Sequence, residues 1–390
     1  MEVISKLLSF VSDDLLEQLA ISTEVNKFSK KLQGELMFKL LLYCIVTEKD
    51  NSLRGMQSAL ESAVFSAFKT KSSTGRISHS AISDRLTNIK SSFFEEIFNS
   101  CVASYKKSLG KDEEKVIRFD STIVSLSGKL LHTGYHLKGG DAENYKLLKF
   151  TIGFTNIPEA VYFYKDQKYN SENVALSESI LGYRGNNKAD VNVFDRGITS
   201  RDNYDKLTAA KIKFISRINN EPKLTEYKAN TLTKKIDTPT LQIISDRWVY
   251  LYTMRKSRTL YPLRMIRAVK KSDGEHITFL TNIEEIKPKE ITEIYKSRWD
   301  IEIFFKFIKQ HLNFSHLLNR SENGIKSVLY VTMTAAILLL QYRKQKKLKG
   351  FKIVRQKFAQ DLERNIIYNI VIICGGDRVK AKKLLYLNSS

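Results

Sequence analysis

The sequence predicts an α/β protein with a helical N-terminal region and a β-rich segment near its middle. Residues 1–110 carry apolar positions at helical spacing, residues 116–218 alternate apolar strands with helices, and residues 219–286 are rich in strand patterns. Strands that alternate with helices are typical of a sheet with helices on its faces. The 390 residues are enough for two or three domains with sizeable cores.

The composition indicates a polyanionic partner. Lys plus Arg number 64 and Asp plus Glu number 42, which gives a formal net charge of +22 spread along the chain. Such an excess favours nucleic acid as the partner. An acidic membrane surface is the alternative, but no basic amphipathic anchor stands out, and the apolar run at residues 328–340 is too short to span a bilayer. We therefore predict a DNA-binding protein with no membrane association.

The N-terminal region is predicted to be helical. Its helices are expected at residues 36–46, 52–68, 78–89 and 93–105. A Ser-rich turn that leads into a short helix with Arg85 resembles a helix-turn-helix unit, which favours DNA binding. The alternative is a helical cap on the next domain, in which Ser78 acts only as an N-cap.

The middle of the chain supplies the strands of the predicted sheet. The strands are expected at residues 116–119, 146–154, 160–164, 191–194 and 213–218, with helices at 172–181 and 200–210. Two of the strands are followed directly by an aspartate, Asp120 or Asp195, and we expect each strand to end there. A carboxylate at a strand end of an α/β sheet points to the region where ligands bind. A single aspartate after a strand more often forms a turn. These two aspartates therefore predict a functional site only together with a third carboxylate.

One long helix is predicted at residues 291–313, after Pro288. Its apolar stripe consists of Ile294, Ile301, Phe305, Ile308 and Leu312. A second face carries Tyr295, Arg298, Glu302 and Lys309. A solvated face with helical ion pairs is the simpler interpretation of this spacing. The alternative is a carboxylate that holds a metal ion while the cations and the phenol bind phosphates.

Asp120, Asp195 and Glu302 form the candidate catalytic set. No His/Cys cluster accompanies them, and carboxylates are the ligands of hard divalent cations. Two such cations clamp the attacking and leaving oxygens of a phosphodiester. The set therefore predicts metal-dependent phosphodiester chemistry, and the basic chain would bind the nucleic-acid backbone.

These residues resemble a known family, the insertion-sequence-four family of bacterial DDE transposases. The matching positions are Tyr295, Arg298, Glu302 and Lys309, in the pattern Y-x2-R-x3-E-x6-K, together with Asp120 and the FDRG sequence of residues 194–197. The order of the segments also matches, over about residues 78–345. The resemblance implies a ribonuclease-H-like catalytic core with a β-rich insertion before the helix of the catalytic glutamate.

The resemblance also implies an activity and a set of roles. It implies a transposase that cleaves transposon ends and transfers the strands to target DNA, acting as a homodimer on double-stranded DNA. Asp120, Asp195 and Glu302 would be catalytic and would hold two Mg²⁺ ions, with Mn²⁺ as a substitute. The DNA-binding residues would be Tyr295, Arg298, Lys309 and Arg217.

The predicted domains follow the same order. They are residues 1–110, a helical DNA-binding domain; 111–218, the first part of the core; 219–286, the insertion; 287–345, the second part of the core; and 346–390, a basic C-terminal helical region. The cysteines form no zinc pattern and the N-terminus is not a signal peptide, so we expect a cytoplasmic, nucleoid-associated protein.

Two other functions remain open from the sequence. A non-catalytic DNA-binding regulator would use the same positive charge and would bind DNA ends without nicking them. A host nuclease of the ribonuclease-H type would cleave without inverted repeats and without joining. The β-rich segment and the Tyr/Arg/Lys face argue against the host nuclease, because a small hybrid nuclease needs neither.

Overall fold

The computed structural model has a mixed α/β architecture, so the predicted α/β class is confirmed, while the ribonuclease-H-like core and the insertion stay predictions. The residues it describes are 2–47, 52–68, 76–109, 115–126, 135–136, 146–164, 166–183, 185, 187, 189–218, 222–230, 235–252, 257–314, 319 and 321–386. Contacts divide the chain into two compact units. A helical unit comprises Met1–Gly110 with Lys306–Ser390, and a sheet unit comprises Lys111–Phe305. The predicted domain limits stay predictions.

The N-terminal part of the helical unit is built from short helices. They are α1 (Glu2–Leu8), α2 (Asp13–Ser22), α3 (Gly34–Thr47), α4 (Leu53–Glu61), α5 (Ala63–Phe68), α6 (His79–Asn88) and α7 (Ser91–Leu109). Residues 52–68, predicted as one helix, form two. Ser62 interrupts the run in an extended conformation, and its hydroxyl accepts a hydrogen bond from the Phe65 amide at 3.1 Å. This hydroxyl therefore caps the start of α5.

Arg85 holds a turn of the helical unit together. Its Nε donates to the carbonyl of Leu32 at 2.8 Å, and its Nη2 donates to the carbonyl of Val25 at 2.7 Å. Ser78 acts as the N-cap of α6, since its hydroxyl accepts from the Ala81 amide at 3.2 Å. The guanidinium is used inside the fold, so the helix-turn-helix interpretation loses its basic residue. A DNA-binding role for residues 1–110 stays a prediction.

The sheet unit is organised around one mixed sheet of eleven described strands. They are β1 (Val116–Leu126), β2 (Tyr135–His136), β3 (Lys146–Phe154), β4 (Pro158–Tyr164), β5 (Val191–Phe194), β6 (Lys213–Ile218), β7 (Leu224–Ala229), β8 (Ile236–Asp237), β9 (Leu241–Leu251), β10 (Leu263–Lys270) and β11 (His276–Thr281). The order is β2-β3-β1-β5-β6-β11-β10-β9-β7, with β4 on β3 and β8 on β9. Strands β1, β5 and β6 are parallel neighbours. Strand β11 pairs antiparallel with β6, and β10, β9, β7 and β8 extend the sheet beyond β11 by further antiparallel pairing.

Helices cover both faces of this sheet. They are α8 (Glu172–Gly182), α9 (Arg201–Ala209), α10 (Pro288–Lys296) and α11 (Trp299–His311). On one face, Phe119 and Phe194 belong to a core that includes Leu176 of α8. On the opposite face, Val193 belongs to a core that includes Ile291 of α10. Successive side chains of a strand point to opposite faces, so each strand contributes to both cores.

The strand that carries Asp120 is longer than predicted. The expectation that it ends at Asp120 is wrong, because β1 continues to Leu126 with β3 paired along it. Asp120 lies opposite Ile152 in this antiparallel pair. The parallel pairing of β1 with β5 does end beside Asp120, with Phe119 opposite Phe194.

The prediction of one continuous helix over residues 291–313 is also wrong. Two helices, α10 and α11, form there, and a turn at Ser297 and Arg298 separates them. The carbonyl of Ser297 accepts a hydrogen bond from Nε of Arg118 at 2.6 Å. The amides of Asp300 and Ile301 bond to carbonyls three residues back. This tighter pattern replaces the α-helical one and breaks the helix.

The C-terminal part of the helical unit consists of long helices. They are α12 (Glu322–Gln345), α13 (Phe351–Ile373) and α14 (Arg378–Tyr386). Among the described residues, α12 is the one helix long and apolar enough to cross a membrane, but its most apolar window is 78% buried inside the fold. Such burial is expected of a helix in the core of a folded protein.

Candidate active site

Asp120 and Asp195 lie side by side on one face of the sheet. In the parallel pair β1–β5, Phe119 is opposite Phe194, and both rings point into the core under α8. Asp120 is the next residue of β1, and its side chain alternates to the opposite face. Asp195 directly follows β5, and its negative charge acts on Tyr295 of α10, so it lies on the same face. That face is covered by α10. The register of two strands therefore brings together two carboxylates that are far apart in the sequence.

The electrostatics of Asp120 reflect this proximity. Burial raises the pKa of Asp120 to about 7, and the negative charges of Asp195 and Glu172 add to the rise. Arg298 and a hydrogen bond from the Ser121 amide, at 2.8 Å, act in the opposite direction. Neighbouring buried carboxylates resist being ionised together unless a cation lies near them. Carboxylate oxygens are the ligands of hard divalent cations, so this pair fits a cation of that class.

The turn after β5 fixes the Asp195 carboxylate. Its Oδ1 accepts a hydrogen bond from the Gly197 amide at 2.7 Å. A Cβ at Gly197 would lie 2.3 Å from Cγ of Glu172 and 3.1 Å from Oδ1 of Asp195. Because a side chain does not fit in this space, glycine is required here, which is a physical reason for the last residue of FDRG.

Glu302 forms an ion pair with Arg298 across the start of α11. The contact joins Nη2 of Arg298 to Oε1 of Glu302, and the guanidinium carbon of Arg298 lies 5.9 Å from the centre of the Tyr295 ring. Burial opposes the charge of Arg298, but Tyr295, Glu302 and Asp120 together raise its pKa. Three residues of the predicted polar face therefore come together in spite of the break between α10 and α11.

The three candidate carboxylates are not equally placed. Asp120 and Asp195 are neighbours, whereas Glu302 is engaged by Arg298. Within the described ranges, no group of three or more His, Cys, Asp or Glu side chains could hold a metal ion. The helix of Glu302 packs on the same face of the sheet as Asp120, because Phe304 of α11 stacks on Phe154 of β3 with 4.8 Å between ring centroids. The role of Glu302 as a third ligand stays a prediction.

The predicted DNA-binding residues have different environments. Burial raises the pKa of Tyr295, while the positive charges of Arg298 and Arg217 lower it, so both cations lie near the phenol. Nη2 of Arg217 is 3.6 Å from a carboxylate oxygen of Glu275, and its Nε is buried with no described acceptor. Lys309 is exposed on α11, about two turns after Glu302. The phosphate contacts of these residues stay predictions.

Sequence reasoning missed a group of residues behind Asp195. Glu172 and Asn173 begin α8, and Lys149 of β3 forms an ion pair with Glu172 at 2.5 Å. Oδ1 of Asn173 accepts from the amide of Thr199 at 2.5 Å in the loop that follows Asp195. Polar residues at the start of a predicted helix look like ordinary capping, so the sequence carries no sign of this arrangement.

Paired aspartates on a mixed sheet, beside a helix with a third carboxylate, define a candidate acidic centre of the kind that holds divalent cations. A family model described as a transposase DDE domain matches residues 111–340. This match covers more than half of the chain, and the protein therefore belongs to the transposase DDE domain family. The resemblance to insertion-sequence DDE transposases is thus confirmed. Members of this family generally depend on a divalent metal.

Three curated relatives carry transposase names. A putative transposase, y4zB, of Sinorhizobium fredii is 31% identical over 147 residues, which is 38% of this chain and 41% of that protein. A putative transposase for insertion sequence element IS4SA of Synechocystis sp. is 26% identical over 260 residues, 62% of this chain and 66% of that protein. A probable transposase for insertion sequence element IS5377 of Geobacillus stearothermophilus is 24% identical over 159 residues, 41% of each. The chain thus covers between 41% and 66% of these relatives.

Proposed function

We propose that this protein is a DNA transposase that cleaves DNA at the ends of its own element and transfers the cut strands into target DNA. The observation that carries the proposal is the placement of Asp120 beside Asp195 by the parallel register of β1 and β5. The strand order β4-β3-β1-β5-β6, antiparallel and then parallel, supports a ribonuclease-H-like core. Strands β7 to β11 would be the β-rich insertion before the helix of Glu302.

The acidic centre would hold the metal. Asp120, Asp195 and Glu302 would bind two Mg²⁺ ions, with Mn²⁺ as a substitute. When bound, such ions activate the attacking hydroxyl group and stabilise the departing oxygen in an in-line displacement. The chain orients the two aspartates before metal binds, because the amides of Ser121 and Gly197 donate to their carboxylates at 2.8 and 2.7 Å.

In this proposal Arg298 both pairs with Glu302 and binds a DNA phosphate. In the free protein its guanidinium neutralises Glu302. A DNA phosphate would compete for the same guanidinium, since arginine binds phosphate through paired hydrogen bonds. Glu302 would then be free to complete the carboxylate set. Completion of the carboxylate set by Glu302 would therefore depend on DNA.

The DNA backbone would approach past Tyr295. A cavity of about 650 Å³ lies beside this phenol, and four of its lining residues are basic. They are Arg217, Lys270, Lys271 and Lys296. Together with Arg298 they would provide the positive charge that phosphate contacts require. A homodimer would hold two DNA ends, and the protein would act in the bacterial cytoplasm at the nucleoid.

The experiment is cleavage and joining of labelled duplexes that carry the inverted repeats flanking the reading frame, with Mg²⁺ or Mn²⁺. Asp120→Ala, Asp195→Ala and Glu302→Ala should each abolish both reactions, because each removes a candidate ligand, while end binding in a gel-shift assay persists. Asp202→Ala is the matched control, since this acid is exposed on α9 in the same unit. It should cleave like the wild type.

Each outcome bears on a different function. Wild-type cleavage by any of the three alanine variants would contradict the carboxylate assignment. A non-catalytic DNA-binding protein is the second candidate, and the pairing of Glu302 with Arg298 favours it. That candidate predicts end binding by the wild-type protein with no nicking in either metal. Cleavage without inverted repeats and without joining would instead indicate a host nuclease.

A further inference from the structure

The start of α8 is built against the loop that carries Asp195. The side chain of Glu172 lies so close to Gly197 that a Cβ there would come within 2.3 Å of Cγ of Glu172. The Oδ1 atom of Asn173 accepts hydrogen bonds from the amides of Thr199 and Ser200 at 2.5 and 2.8 Å. Two consecutive residues of α8 therefore hold the beginning and the end of the segment that follows Asp195.

A buried lysine fixes this helix start to the sheet. Nζ of Lys149 lies 2.5 Å from Oε2 of Glu172, and the Lys149 side chain is 4% exposed. The same ammonium donates to the carbonyl of Asn170 at 3.4 Å. A buried ammonium is tolerated only when it is paired, so Lys149 and Glu172 fix each other. Lys149 belongs to β3, the antiparallel neighbour of β1, and so ties α8 to the strand next to Asp120.

The held loop in turn orients the Asp195 carboxylate. The amide that donates to Oδ1 of Asp195, at 2.7 Å, belongs to Gly197, the residue that packs against Glu172, and it lies two residues before the first amide bound by Asn173. If the loop were free, this amide could rotate away and the carboxylate could turn with it. The packing and hydrogen bonds of α8 therefore act on the Asp195 carboxylate through the Gly197 amide.

We infer that Glu172, Asn173 and Lys149 are positioning residues for Asp195, which set the direction of its carboxylate from the opposite face of the sheet. The inference rests on the proposed function, because it takes Asp195 to be a metal ligand. Groups that orient a ligand from outside the coordination sphere typically contribute 10- to 100-fold in metal affinity or activity. The same range is expected here.

The test measures Mn²⁺ affinity of the full-length protein by the electron paramagnetic resonance signal of free Mn²⁺. Asn173→Ala removes the acceptor for the Thr199 and Ser200 amides and should weaken Mn²⁺ binding by about 10- to 100-fold. Asn173→Asp keeps an acceptor for both amides and should restore most of the affinity. If the alanine variant does not fold, Asn173→Ser, which keeps a shorter acceptor, replaces it and should also weaken Mn²⁺ binding.

Asn282 provides a matched control in the same unit. Its Oδ1 accepts from the Phe214 amide at 3.0 Å and its Nδ2 donates to the Ile212 carbonyl at 2.9 Å, at the start of β6 rather than at the end of β5. Asn282→Ala should lower the melting temperature as Asn173→Ala does, with Mn²⁺ affinity unchanged. Equal loss of Mn²⁺ affinity in both alanine variants, or no loss in Asn173→Ala, would show that the role of Asn173 is structural.

Asp195→Asn separates this inference from the proposed function. If Asp195→Asn loses Mn²⁺ binding and cleavage while Asn173→Ala keeps both, the carboxylate assignment stands and the positioning role is wrong. If Asp195→Asn keeps wild-type Mn²⁺ binding and cleavage, the carboxylate assignment in the proposed function is wrong, whatever Asn173→Ala does. Loss of both in Asp195→Asn, with loss of Mn²⁺ affinity specific to Asn173→Ala, supports the two together.

Discussion

Among single residues, Asp120 is partly buried by the fold although burial disfavours the charged form of its carboxyl group. Its carboxyl group is held in a partly buried position on β1, with Asp195 and Glu172 near enough to oppose its ionisation. The fold maintains this arrangement through the pairing of β1 with both β3 and β5. A site that stabilises a cation in this way destabilises the protein when the cation is absent.

This burial predicts a dependence of stability on pH. The folded-state pKa of Asp120, about 7, lies above its ordinary value of 3.8. The raised pKa contributes stability that is fully present below about pH 4 and is lost as the pH rises through 7. Asp120→Asn removes the ionisation, so in EDTA at pH 8 it should melt above the wild type, by roughly 2–4 °C for each kcal/mol recovered. Differential scanning fluorimetry from pH 4 to 8 measures this.

Divalent cation supplies the control for that prediction. Mg²⁺ or Mn²⁺ should raise the melting temperature of the wild type at pH 8 and should have little effect on Asp120→Asn. At pH 4 the two proteins should melt at similar temperatures, because the carboxyl group is then neutral in the fold. A variant that is less stable than the wild type at pH 8 would show that the Asp120 carboxylate contributes more through its hydrogen bond than it costs through burial.

The sequence singles out some of these residues and misses others for physical reasons. Asp120 and Asp195 could be selected because each follows an apolar strand. Their adjacency could not be derived, since it depends on the register that places Phe119 opposite Phe194. Asn173 contacts the segment after Asp195, and Lys149 contacts Glu172, only through the tertiary fold, and nothing in their local sequence marks them. The chemical roles of the aspartates stay predictions.

Among the elements, the connection from β11 into α10 determines where the polar face begins. Arg264 of β10 donates from Nη1 to the carbonyls of Ile283, Glu284 and Ile286, at 3.2, 3.0 and 2.7 Å, just before the helix. Its guanidinium is paired with Asp246 of β9 at 2.9 and 2.7 Å through two parallel bonds. This buried pair therefore holds the entry of α10 on the sheet.

Breaking that pair should destabilise the sheet unit strongly. Asp246→Asn leaves the guanidinium of Arg264 buried without its counter-charge, and the loss of one partner of such a pair costs about 3–5 kcal/mol. Glu226→Gln is the control. Nη1 of its partner Arg247 lies 3.4 Å from Oε2 of Glu226 in the same sheet, and both side chains are partly exposed. The loss of unfolding free energy should therefore stay below about 1 kcal/mol. Urea unfolding measures both, and equal costs would contradict the structural role of Arg264.

Elements were predictable where their signal is local. The strands at residues 146–154, 191–194 and 213–218 have the predicted bounds, because short apolar runs between polar turns carry the information themselves. The break between α10 and α11 was not predictable. It depends on Arg118, whose Nε bonds to the carbonyl of Ser297 from 179 residues away in the chain. The same holds for the continuation of β1 past Asp120, which requires β3.

For the whole molecule, net charge is the property that selects a partner. A formal charge of +22 would attract a polyanion such as DNA whatever its sequence, because each phosphate contact releases counterions into solution. The candidate acidic centre is a local exception within this positive chain. Charge therefore predicts the class of partner and the salt dependence of binding, whereas the carboxylates alone would confine the chemistry to one place.

The last prediction concerns that salt dependence. The logarithm of the association constant for an end duplex should fall linearly with the logarithm of salt concentration, with a slope of about −0.9 for each phosphate contact. Arg217→Ala should make the slope shallower by about 0.9 if Arg217 binds a phosphate. Fluorescence anisotropy over a range of salt concentrations measures this slope.

Lys211→Asn tests whether the position of the charge matters. It also removes one positive charge, but from the turn before β6, whereas Arg217 lies near the end of that strand. Asparagine tolerates the left-handed backbone at this position, where φ is 59°. The control should leave the slope unchanged. Equal changes in the two variants would mean that net charge, and not a contact at Arg217, governs binding, and a flat wild-type slope would exclude backbone contacts by the basic surface altogether.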